Sequence, residues 1–73
     1  MHEQELIDKS IAYLKIEYGE DTVCMNVIRN DVLEGHGVLH VDCTVSIGGA
    51  HSDWTEWFSF RDGAVTSMRW QMR

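Results

Sequence analysis

Gly37-Val38-Leu39-His40-Val41-Asp42-Cys43-Thr44-Val45-Ser46-Ile47 decides the fold of this 73-residue chain. Its odd positions Leu39, Val41, Cys43, Val45 and Ile47 are apolar, while His36, His40, Asp42, Thr44 and Ser46 are mostly polar. Only Val38 breaks the alternation. A period of two over this length is a β-strand with one buried and one open face. Gly48-Gly49 follows and supplies the positive φ angles of a tight hairpin. A return strand over 52–60 then opposes Cys43 to Trp54, Leu39 to Phe58, His40 to Trp57 and Asp42 to Thr55.

Working towards the C-terminus, the return strand puts Trp54, Glu56, Phe58 and Phe60 on one face and Asp53, Thr55, Trp57 and Ser59 on the other. Glu56 and Trp57 are out of keeping with their faces. A last strand over 64–72 turns Ala64, Met68, Trp70 and Met72 inward and Ser67, Arg69 and Gln71 outward. A two-residue Asp62-Gly63 loop would oppose Arg61 to Ala64 and Phe60 to Val65 and send Met68 and Trp70 to the polar face. The expectation is therefore a three-residue Arg61-Asp62-Gly63 loop, with Phe60 opposite Ala64, Phe58 opposite Thr66, Glu56 opposite Met68 and Trp54 opposite Trp70.

Working towards the N-terminus, a strand over 22–29 alternates Val23, Met25 and Val27 with Thr22, Cys24 and Asn26. The path from Asn30 to Gly35 has no clear signal. Over 3–18 the period becomes helical: Leu6, Ile7, Ile11, Leu14 and Tyr18 recur at three- and four-residue spacings, acidic residues occupy the first turn, and Gly19 caps the end. The whole reads as one α+β domain over 1–73. Its single N-terminal helix packs on a four-stranded antiparallel meander sheet of order 1-2-3-4, in two layers. So short a chain buries only about 60% of its unfolded surface, and self-association would add to its stability.

Twelve acidic and six basic residues leave a net charge of -6. This disfavours nucleic acid and anionic membrane as partners. The start Met1-His2-Glu3-Gln4-Glu5 lacks a secretory signal and no apolar run reaches membrane-spanning length, so the expected location is the cytoplasm. Cys43 points into the core and Cys24 to the open face, so the two are expected to be free thiols in a reducing compartment.

The open strand face also sets His40 and Asp42 about 6.5–7 Å apart, a spacing compatible with one metal ion if His36 joined them. Histidine on a solvated face is the plainer reading, and no cofactor is expected. No nucleophile elbow, phosphate loop, HExxH or CxxC pair is present, so no catalytic residues are assigned and the chain reads as a non-enzyme. Glu56 on the apolar face near Trp54 and Trp70 could have a raised pKa, while the plainer reading puts it at the rim of the face or at a bulge. Trp57 beside His40, Arg69, Asp42 and Thr55 on an uncovered face suggests a binding hot spot, and a second copy of the chain is the expected partner. The plainer account is that Trp57 shields its cross-strand neighbours.

The stretch Trp54-Thr55-Glu56-Trp57-Phe58-Ser59-Phe60-Arg61-Asp62-Gly63-Ala64-Val65-Thr66-Ser67-Met68-Arg69-Trp70 resembles the closing hairpin of NTF2-like, cystatin-superfold domains. The resemblance implies a helix across a curved sheet, dimerisation through the open face, and in some members a small-molecule pocket between helix and sheet. It carries no catalytic residue over. The first expectation for function is thus a homodimerisation or protein-interaction module. The alternative is a small-ligand binder with an apolar cleft lined by Tyr13, Trp54, Met68 and Trp70.

Overall fold

A computed structural model describes residues 1–73 and shows α1 (Glu3–Tyr18), β1 (Asp21–Asn30), β2 (Gly37–Ile47), β3 (Ala50–Arg61) and β4 (Ala64–Met72). The strands form one antiparallel sheet in the order β1-β2-β3-β4, with α1 against one face and touching β1 and β4. This is the expected α+β architecture. Leu6 and Leu14 of α1 pack on Leu39, Val41, Cys43 and Val45 of β2 and on Phe58 and Phe60 of β3. Ser10 lies on the same buried stripe, where its hydroxyl donates to the Leu6 carbonyl at 2.8 Å. That back-bond satisfies a polar atom that would otherwise be costly to bury.

The β2–β3 register agrees with the expectation in full, including Cys43 opposite Trp54, Leu39 opposite Phe58, His40 opposite Trp57 and Asp42 opposite Thr55. Ile47 pairs with Ala50 around the two-residue Gly48-Gly49 turn, so β3 starts two residues earlier than expected.

The β3–β4 hairpin corrects the sequence reading. Arg61 pairs with Ala64 around a two-residue loop in which Asp62 and Gly63 both have positive φ, 51° and 77°. A pair of left-handed residues matches the twist of the flanking strands, which is why Asp-Gly favours this loop. Phase is restored one step later: Phe60 pairs with Val65, Ser59 with Ser67, and Thr66 bulges out unpaired, its hydroxyl donating to the Ser59 carbonyl at 3.3 Å. Met68 therefore lies opposite Phe58, Trp70 opposite Glu56 and Met72 opposite Trp54. The expected opposition of Trp54 to Trp70 and of Glu56 to Met68 is replaced by these pairs.

β1 carries two more irregularities, at Val23 and Ile28. The first pairs Thr22 with inward-facing Val45, so Thr22 turns in and Val23, 53% exposed, leaves the covered face. This reverses the expected faces of those two residues, while Cys24, Met25 and Val27 keep theirs. Between β1 and β2 the chain makes a miniature hairpin: Leu33 and His36 exchange both backbone hydrogen bonds, at 2.8 and 3.0 Å, around Glu34-Gly35. The Gly63 N–H donates to the Gly35 carbonyl at 3.1 Å and so ties this turn to the β3–β4 turn.

Candidate functional site

α1 does not reach across the whole sheet, and beyond its C-terminal end the inner face of β3 and β4 opens into a cleft of about 170 Å³. Tyr18, Glu20, Trp54, Glu56, Met68 and Trp70 line it. Three of the four residues expected for a ligand cleft, Trp54, Met68 and Trp70, are here. Tyr13 is not: its ring packs edge-on against Phe58 at 6.3 Å, and it borders a separate groove with Ile16 and Val65. A helical residue one turn from the end of α1 is used to seal the core, and Tyr18 takes its place at the cleft.

The walls are set by local rules. Gly19 caps α1 in the left-handed conformation, its N–H donating to the Lys15 carbonyl at 3.0 Å and the Glu20 N–H to the Leu14 carbonyl at 3.2 Å. This double closure fixes the residue after the glycine, and Glu20 turns into the cleft rather than into water. Trp54 is held by its indole N–H, which donates to the Ser52 hydroxyl at 2.8 Å. Trp70 meets it at a centroid distance of 5.1 Å with planes at 83°, so the two indoles form a corner. Trp70 remains 57% exposed at the open side.

The floor is Glu56, which is 2% exposed. Its Oε1 accepts a hydrogen bond from the Cys43 thiol at 2.9 Å, the one hydrogen bond to this carboxyl. Burial holds the carboxyl above its ordinary value of 4.5, and the negative charge of Glu20 adds to the rise, while the thiol contact opposes it. Glu20 is raised for the same first reason, and its Oε1 is buried without a partner. Burial also pushes the Cys43 thiol up, with Glu56 second, so Cys43 stays protonated and donates. Two carboxyl groups thus share an aromatic-walled cleft with hydrogen-bonding capacity to spare. Beside Trp54 and Trp70 the Glu56 carboxyl does have a raised pKa. Glu20 and Tyr18 escape sequence reasoning, because neither the end of a helical period nor a turn acid carries a signal of direction.

The open face gathers the other expected residues. His40 stacks on Trp57 at 4.8 Å with planes 13° apart, and the Arg69 guanidinium sits 5.6 Å from the Trp57 ring centre. The Thr55 hydroxyl donates to Asp42 at 2.7 Å. Arg73 crosses the same face, donating to the Cys43 carbonyl at 3.1 Å and to the Trp54 carbonyl at 3.2 Å, with Asp42 and Asp53 each 3.9 Å away. Trp57 is half-buried by these neighbours. The alternative metal set is not assembled: His36 pairs with Asp62 at 3.3 Å, His40 is taken up by Trp57, and Asp42 is held by Thr55. No three His, Cys, Asp or Glu side chains converge. Cys24 and Cys43 are free, on opposite faces. No helix is long and apolar enough to cross a membrane.

Comparison with protein-family models, curated proteins and solved structures finds no match to this chain. The likeness of one hairpin to NTF2-like domains therefore assigns no activity, and the reading of function rests on the two faces of the sheet.

Proposed function

We propose that this chain is a small-ligand-binding domain whose site is the cleft between the end of α1 and the inner face of β3 and β4. The observation that carries the reading is Glu56: a carboxyl 2% exposed, with one hydrogen bond, forms the floor of a cleft that no protein side chain fills. A buried polar group with unused capacity beneath an aromatic wall is the usual composition of a ligand site. The volume, about 170 Å³, suits a ligand well below drug size. Binding without chemistry is the simpler reading, since Cys43 is held as a thiol.

The test is a screen of small fragments by nuclear magnetic resonance, following the indole N–H signals of the three tryptophans. Saturable shifts at Trp54 and Trp70 with Trp57 unmoved support the cleft. Fragments that move Trp57 alone, or none that bind, refute it.

A second reading is favoured by the flat His40–Trp57–Arg69 stack, which lies on a face with no covering element. Tryptophan and arginine are enriched at interface hot spots, and a second copy could cover this face and form a homodimer. Sedimentation across a concentration series reads it directly. A monomer throughout, or a dimer unchanged by Trp57→Ala, removes it. The two free thiols fit a reducing compartment such as the cytoplasm.

A further inference from the structure

Resting on the cleft reading, we propose that the ligand is a small organic cation, an alkylammonium or quaternary ammonium group seated in the Trp54–Trp70 corner above Glu56 and beside Glu20.

Four observations converge. The first is geometric: two indoles at 83° with centroids 5.1 Å apart offer two faces of a partial cage, and Tyr18 and Met68 complete the lining. Aromatic faces attract cations through their quadrupole, and cages of this kind suit ammonium groups whose positive charge is spread over apolar carbon. The second is charge. The lining carries two carboxyl groups, Glu20 and Glu56, and no lysine, arginine or histidine borders the cleft.

The third is unused bonding capacity. Glu56 is almost wholly buried yet has a partner only at Oε1, and Glu20 Oε1 is buried with none. A cation placed between them would offset the penalty that burial and mutual repulsion impose on their ionised forms. The fourth is size. At about 170 Å³ the cleft is smaller than the roughly 300–1,000 Å³ of pockets that take drug-sized ligands. This matches a tetraalkylammonium head or a short amine rather than a nucleotide or a lipid. The excess of acidic residues, with a net charge of -6, also draws cations towards the molecule.

The experiment compares choline and n-butylammonium with 3,3-dimethyl-1-butanol, the neutral carbon isostere of choline, and with the butyrate anion. Binding is followed by tryptophan fluorescence and by the Trp54 and Trp70 indole signals. The expected result is saturable binding of the cations, with the neutral isostere weaker by about tenfold or more and butyrate weaker still. Glu56→Gln and Glu20→Gln should each weaken the cations by about tenfold and the isostere by much less. Far-UV circular dichroism checks that each variant is folded, and the half-buried Glu20 provides a carboxyl whose replacement does not disturb the core.

Equal or tighter binding of the neutral isostere overturns the inference, as does cation binding that both glutamine variants retain. If the isostere or butyrate binds at Trp54 and Trp70 and the cations do not, the cleft stands and the cation assignment falls. If no probe of any charge binds, the cleft reading itself fails.

Discussion

The Cys43 thiol and the Glu56 carboxyl are joined between neighbouring strands by a hydrogen bond of 2.9 Å, from Sγ to Oε1, on the inner face of the sheet. Burial is the main reason the Glu56 carboxyl is held above 4.5 in the folded chain. In the unfolded chain it ionises at its ordinary value, so the unfolded state releases its proton first as pH rises. The contribution of this group to stability is fully present below the unfolded pKa and is lost as pH climbs through the folded one. Glu56→Gln removes that titration. Urea unfolding between about pH 4 and about pH 8 should then show a shallower decline of stability with pH in the variant, by up to about 1.4 kcal/mol per pH unit for one proton. Parallel profiles for the two proteins would contradict the assignment.

The same thiol should be chemically silent. Cys24 is exposed and Cys43 buried with its thiol pushed up, so a thiolate-specific reagent should label one cysteine per native chain. The second should react only at the rate of unfolding. Fast labelling of both in native buffer would show that the sheet opens at Cys43.

Exposure separates the two ends of the inner face. Phe58→Ala empties a fully buried site and should cost about 3–5 kcal/mol, enough to unfold a domain of this size at moderate temperature. Trp70→Ala removes a ring that is 57% exposed and should cost about 1 kcal/mol, chiefly its edge contact with Trp54, while abolishing ligand binding. Denaturant titration of both variants checks the order, and a Trp70 variant as unstable as the Phe58 one would mean that Trp70 belongs to the core.

A further contrast concerns glycines. A methyl on Gly35 would stand 2.7 Å from the Gly63 backbone nitrogen, at a φ of 82°, and would force apart the two turns that the Gly63–Gly35 hydrogen bond joins. Gly48 also has positive φ, but open space surrounds it. Gly48→Ala should cost about 1 kcal/mol, the strain of the conformation alone, and Gly35→Ala at least about 2 kcal/mol. Thermal unfolding of the pair measures the difference, and equal losses would show that the contact between the turns carries no energy.

Much of this was legible because β2 is unambiguous. Strict alternation from Leu39 to Ile47 and a Gly-Gly turn specify both faces and the β2–β3 register, and from them the outward neighbours of Trp57 and the inward place of Glu56. The β3–β4 register departs from the side-chain period for a physical reason. Turn chemistry favoured two residues at Asp62-Gly63, side-chain phase favoured three, and a regular ladder cannot satisfy both. The chain satisfies both by bulging at Thr66, a local defect that no period reveals in advance. Val23 and Thr22 exchange faces through a similar irregularity. Glu20 was invisible because its direction comes from the backbone path through the Gly19 cap, not from its chemical type.

The Thr66 bulge is also a seam in the chain. Phe60 pairs with Val65 and Ser59 with Ser67, so Thr66 is the one β4 residue in this stretch with no place in the ladder. A chain shorter by that residue would close into a regular hairpin with Met68 still opposite Phe58, Trp70 opposite Glu56 and Met72 opposite Trp54. Position 66 is therefore where the hairpin can absorb a change of length by one residue without moving the cleft. An alignment that treats β4 as rigid would instead slip by one residue there and pair the cleft tryptophan with the wrong neighbour.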